Sequence, residues 1–184
     1  MKGIALLIFA ATLGLISCED DDMGISVPIY LPGDQENGFA IGQKNGVTWE
    51  SSTFARKPTD APVVSMTLNT FSEEGFRREN ISLNEIPLEV GNYTISGAFN
   101  SFNDGFVGSF YSTNRDDGNL PEDFYLFNES GISSSITISR YDSTSMTIEG
   151  ILNVSFAIRD PKINPRNPDR VDFTSVEFSC KIIP

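Results

Sequence analysis

The 184-residue chain contains no histidine, and that absence excludes more chemistry than any motif in it supplies. Without an imidazole no Ser-His-Asp or Cys-His catalytic arrangement forms and no His-ligated zinc or haem site exists. A proton shuttle at neutral pH would need a strongly shifted carboxylate, lysine or cysteine. Cysteine is almost as scarce, with Cys18 and Cys180 alone. Cys180 sits in an apolar alternating run, the setting of a core thiol and not of a nucleophile. Basic residues are few: 13 Lys and Arg face 25 Asp and Glu, a formal charge of −12 at pH 7. A surface of that sign repels nucleic acid and anionic headgroups. Long apolar runs are also missing. The longest, residues 4–16, spans about 13 positions where a transmembrane helix needs about 20. Hydrolysis by a carboxylate pair survives these exclusions, but no spacing in the sequence identifies a productive pair. The expectation is a protein that is not an enzyme and uses no cofactor, with a carboxylate-dependent hydrolase as the residual alternative.

What the chain does have begins at its N-terminus. Lys2 precedes the apolar 4–16 core, the layout of a secretory signal peptide covering residues 1–17. The core closes on Leu15-Ile16-Ser17-Cys18, which resembles the processing box of bacterial lipoproteins. That resemblance implies cleavage before Cys18 and fatty acylation, palmitate included, of the new N-terminal cysteine. One acyl chain, at about 0.8 kcal/mol per buried CH₂, holds a membrane only reversibly, and stable anchoring takes two or more. The modification implied here supplies three. Loss of Lys2 leaves 12 basic residues against 25 acidic ones, a mature charge of −13. With Cys18 acylated, Cys180 has no disulfide partner. Residues 18–37 read as a lipidated tether, with Glu19, Asp20, Asp21 and Asp22 first and then Pro28, Pro32 and Gly33 without a sustained period.

Residues 38–184 read as a single all-β domain. Short β-type runs alternate with Gly, Asn, Asp and Pro, and almost nothing keeps a helical period. Residues 39–43 and 47–50 flank Asn45-Gly46, which suits the positive φ values of a tight hairpin turn. Trp49, the only tryptophan, reads as a core anchor. Further strands are expected over 63–70, 77–83, 93–99, 106–112 and 124–127. From Met146 the residues Ile148, Gly150, Leu152, Val154, Phe156 and Ile158 share one face while Glu149, Asn153 and Ser155 share the other, a long half-buried antiparallel strand. Residues 135–141 precede it across a short Asp142-to-Ser145 connection. In the last strand Val171 and Phe173 are odd whereas Val176, Phe178, Cys180 and Ile182 are even, so a β-bulge is expected near Thr174 and Ser175. The total is nine or ten strands in an antiparallel β-sandwich or a flattened, open barrel.

Three segments carry a second resemblance: the 40–50 run of strand, Asn-Gly turn and Trp49; Gly91-Asn92-Tyr93-Thr94-Ile95; and the 136–142 strand followed by Ile148-Glu149-Gly150. Their order is similar to that of small β-rich lipoproteins of unknown function in Bacteroidota, over roughly residues 39–182. The chain departs from that pattern in a longer aromatic middle section and at Ile151-Leu152, where the family has a polar residue and Phe. The resemblance implies no activity, but it gives Glu19, Asp20, Asp21 and Asp22 a meaning, since acids directly after the lipidated cysteine resemble that group's surface-export signal. The bland reading is a solvated charge run. The expected location is the outer membrane, facing the cell exterior, with the periplasmic face as the alternative.

Three regions are candidates for binding. Between residues 99 and 127 aromatics, among them Phe102 and Tyr111, alternate with Asn and Asp, as in a sugar-binding surface, although core strands joined by polar turns have the same pattern. Asp116, Asp117, Glu122 and Asp123 offer oxygen ligands for calcium, but their spacing does not fit an EF-hand and a solvated acidic loop is the simpler reading. Residues 159–170 hold Arg159, Lys162, Arg166 and Arg170 with three prolines. That stiffened basic loop suits a partner contact, or else its bases fold back onto nearby carboxylates. The function expected is a cell-surface binding or adhesion module for a glycan or an envelope protein. The alternative is a structural accessory subunit of an outer-membrane assembly.

Overall fold

Ten strands and no helix make up the computed structural model, which describes residues 38–58, 61–97, 106–118 and 120–183. The strands are β1 Gly38–Lys44, β2 Val47–Arg56, β3 Val63–Phe71, β4 Arg77–Pro87, β5 Gly91–Ser96, β6 Val107–Asn114, β7 Pro121–Phe127, β8 Ser135–Asp142, β9 Thr147–Ile158 and β10 Arg170–Ile183. All belong to one sheet, and the pairings form a ring: β1 bonds to β2 and β10, and β10 bonds to β9. Between β6 and β9 the ring divides. β7 bridges them near one end, pairing Tyr125 with Ile158, while β5 and β8 bridge them near the other, pairing Ile95 with Val107 and Ile136 with Leu152. Ladders are antiparallel except for the short β5–β6 and β10–β2 contacts. The expected all-β, largely antiparallel architecture is what forms.

Local chemistry explains the connections. Asn45 and Gly46 have φ of 51° and 79°, as a two-residue hairpin turn requires for its twist to match that of the strands. Asp142 Oδ1 accepts the amides of Thr144 at 2.8 Å and Ser145 at 3.2 Å, and Met146, at φ 54°, ends that turn in place of opening β9. The bulge falls where the phase change puts it. Phe173 pairs with Val154 and Val176 with Leu152, three residues of β10 against two steps of β9, and Ser175 takes φ 51° while its amide donates to Asn153 Oδ1 at 2.8 Å.

One face of every strand lines a filled interior. Tyr111 packs against Tyr125 at a centroid distance of 4.9 Å and against Phe173 at 5.3 Å, and Trp49 meets Phe173 edge-on at 4.9 Å. Aliphatic residues from β3, β4, β8 and β9 complete the core, including Met66, Leu83, Ile136 and Leu152. Each such side chain contributes about 1.5–3 kcal/mol on burial. Trp49 and Cys180 are both buried, as their sequence settings predict. Burial pushes the Cys180 thiol up to about 11.

Candidate functional site

Strand direction sorts the connections onto two ends. The 45–46 turn, the 72–76 turn, the 115–120 connection and the 159–169 connection all lie at the ends of strands that run away from Gly38 or the starts of strands that return toward it. Gly38 and Ile183 lie at the opposite end, beside the 57–62, 88–90 and 143–146 connections. The former is called the loop end and the latter the entry end.

Under the loop end the interior closes on a charged network. Lys44 Nζ pairs with Glu79 Oε1, Tyr111 donates to the same oxygen at 2.6 Å, and Trp49 Nε1 donates to Oε2 at 2.8 Å. Burial pushes the Glu79 carboxyl up. The Lys44 charge and the hydrogen bonds from Lys44, Tyr111 and Trp49 outweigh it and hold the group below its ordinary value. Burial first, and then the Glu79 charge, drive the Tyr111 phenol far above its ordinary value. With its lone pairs taken by these donors, Glu79 acts as an internal strut, not as a base open to a substrate.

Beside that network a second buried carboxylate holds the long loop. The alternation of β7 points Asp123 and Tyr125 inward, and Asp123 is 1% exposed. Its Oδ1 accepts the amide of Ile163 at 2.6 Å, and Oδ2 accepts the Asn164 amide at 3.2 Å and Asn167 Nδ2 at 2.7 Å. Tyr125 donates to Pro168 O at 2.9 Å. Burial and the charges of Asp123 and Asp169 push the Tyr125 phenol up to about 12, so it stays a donor at any ordinary pH. The 159–169 connection is thus tied down at its middle and near its end.

Its neighbour, the 115–118 turn, faces it across a cleft of about 600 Å³ lined chiefly by polar side chains, among them Arg115, Asp116, Glu122, Asn164 and Arg166. The walls are held by their own bonds: Asn164 Nδ2 donates to Glu122 Oε2 at 2.9 Å, the Arg166 amide to Asn164 Oδ1 at 3.0 Å, and Arg78 to Asp116 at 2.9 Å. A second groove of about 590 Å³ crosses β1, β2 and β3 on the outer face, with Phe39 and Ile41 exposed on one side and Asn69 and Phe71 on the other. There Asn80 Nδ2 donates to Asn69 Oδ1 at 2.8 Å and Ser82 to Asn80 Oδ1 at 3.0 Å, so the amides satisfy one another.

The four bases of residues 159–170 divide. Lys162 pairs with Asp169 at 2.7 Å and Arg170 with Asp172 at 2.9 Å, the folding-back reading. Arg159 and Arg166 are exposed and form no ion pair with any described residue. Tyr111, expected at a binding surface, is a correction: it faces the interior with no exposure and cannot touch an external ligand. Phe102 lies outside the described residues, as do Cys18 and the acids Glu19, Asp20, Asp21 and Asp22. Of the expected aromatic surface, Phe106 and Phe124 are exposed while Tyr125 is core. Of the calcium candidates Asp116, Asp117 and Glu122 border the same cleft, but they do not converge on one point. Asp116 is paired with Arg78 and Asp123 is filled by amides, and among the described residues no group of three or more such side chains is placed to hold a metal ion. The residues the sequence reading missed are Asn164 and Asn167, which join Glu122 and Asp123 across about 40 positions of sequence. No local signal marks such a pairing.

No family model, no curated protein and no solved structure matches this chain.

Proposed function

We propose that the protein is an outer-membrane lipoprotein, anchored through acylated Cys18, whose non-catalytic β-domain is a cell-surface binding module. The observation that carries this reading is the separation of the two ends. The chain from Cys18 joins the domain at Gly38, on the entry end, so the tether attaches opposite the loop end. That end carries the longest connection among the described strands, residues 159–169, pinned by Asp123 and Tyr125 while it presents unpaired Arg159 and Arg166. A stiff loop on a rigid sheet is a common platform for recognition. The filled interior, with Tyr111, Tyr125, Phe156 and Phe173 fully buried, supports recognition on the outside of the domain.

The test is made on intact cells. Radiolabelled palmitate is expected to enter the protein and to be lost in Cys18→Ala, and added protease is expected to remove the domain without disruption of the outer membrane. Labelling that persists in the variant refutes the anchor, and protection of the domain in intact cells refutes surface exposure.

A further inference from the structure

We infer that the loop-end cleft between the 115–118 turn and the 159–169 connection is the ligand site, and that its ligand is an uncharged saccharide. This inference rests on the binding-module reading. The argument begins with charge. Asp116, Asp117 and Glu122 contribute three carboxylates to the lining, and Arg115 and Arg166 contribute two guanidiniums. Arg78 offsets Asp116, and Arg115 and Arg166 balance Asp117 and Glu122, so neither sign is favoured as a ligand. Hydroxyl groups both donate and accept, and a polyol matches a wall that offers acceptor-only carboxylates together with donor-only guanidiniums.

The wall is also built before any ligand arrives. Glu122 Oε2 is fixed by Asn164 at 2.9 Å and by Asn167 at 3.3 Å, and Asn164 is itself set by the backbone of residue 166. Side chains already held in place lose less freedom on binding, which matters most for a ligand recognised through hydrogen bonds alone. Arg115 and Arg166, by contrast, form no ion pair with described residues and keep their donors for a ligand. A third observation concerns Asn114, which also lines the cleft. It is 7% exposed, its Nδ2 donates to Gly118 O at 3.1 Å, and its Oδ1 has no donor. A buried acceptor without a partner is rare and calls for an explanation. A hydroxyl, which donates as well as accepts, is the kind of group that would supply the missing donor. The volume of about 600 Å³ is in the range of small-molecule sites and accommodates one or two sugar rings.

The experiment uses the full-length Cys18→Ala chain on an array of neutral, uronate-bearing, sulfated and amino-sugar oligosaccharides, with Arg115→Ser and Arg166→Ser as variants. Neither side chain supports the fold through an ion pair, so both variants are expected to melt as the parent does. Retention of a neutral oligosaccharide, weakened about tenfold or more by either substitution, is the expected result. Retention of charged glycans alone overturns the ligand class. Neutral binding that both variants leave unchanged overturns the site but not the module. Capture of a membrane protein with no glycan retained overturns the saccharide inference and leaves the binding-module reading standing. If the array and a membrane pull-down are both blank, the two fall together.

Discussion

The carboxylate of Asp123 accepts the backbone amide of Ile163 at 2.6 Å, across 40 positions of sequence and inside the closed end of a β-ring. A single inward acid on β7 therefore sets the path of the loop that precedes β10.

Replacement of this acid should release the loop before it unfolds the barrel. Asp123→Ala removes the acceptor for two amides and for Asn167, and hydrogen bonds to a charged group are worth about 1.5–3 kcal/mol each where the donors stay buried. The donors here regain some water as the loop lifts, so a net loss of about 3 kcal/mol is expected in urea unfolding. Trypsin should then cut after Lys162 and Arg166 in the folded variant much faster than in the parent. Equal cutting rates would show that Asp123 does not hold the loop.

The Glu79 network makes a second prediction, with a definite sign. The carboxyl is held below its ordinary value in the folded chain. Its contribution is thus fully present above the ordinary glutamate range and disappears as pH falls through the lowered folded value. Glu79→Gln should cost about 3 kcal/mol at neutral pH, because it leaves Lys44 partly buried without a counter-charge. It should also flatten the acid limb of the stability profile. Parallel acid limbs for parent and variant, followed by chemical denaturation at several pH values, would contradict the assignment.

Packing at a crowded strand crossing gives a third. A Cβ on Gly150 would lie 2.1 Å from the Thr137 carbonyl and 2.7 Å from Phe178 Cζ, both in paired neighbours of β9. Gly150→Ala should destabilise the domain by about 1–3 kcal/mol through overpacking, read as a lower urea midpoint with an unchanged slope. An unchanged midpoint would mean the two neighbouring strands move apart freely.

Burial of Cys180 is checked by its chemistry. The thiol is 1% exposed and pushed up to about 11, so in the full-length Cys18→Ala chain an aromatic disulfide reagent should react at neutral pH only as fast as the protein opens. Denaturant should release the reaction. Rapid labelling of the folded chain would place the cysteine elsewhere than the core.

Much of this architecture can be read from residue order because short-range rules govern it. The turn at Asn45-Gly46, the alternation from Ile148 to Val154 and the bulge at Ser175 depend on φ preference and on which side of a strand a residue faces, and the structure bears each out, although Ser155, expected on the polar face, is buried. The ring is different. That β10 lies beside β1, and that β4 pairs with β6 and bypasses β5, depends on contacts between distant segments that leave no local mark. Misassignment of Tyr111 has a related cause. In β6 Val107, Gly108, Ser109, Tyr111 and Ser112 are all buried, so the strand shows no clean alternation and its aromatics suit a core and a surface reading alike. Asp123 looked like one more acid in a solvated run. Its parity with Tyr125 was the available signal, and the general rule that acids face water overrode it.

Under the proposed anchorage, closure of the ring has a consequence on a crowded membrane. Molecules tethered to one membrane collide with their neighbours at effective concentrations far above those of freely diffusing ones. A sheet with a free border invites such neighbours to add their own strands. Each of the ten strands here has a bonded neighbour on both flanks along at least part of its length, so a dense lawn of these domains would present only short free stretches, on β5 and β8, to which another copy could be stitched.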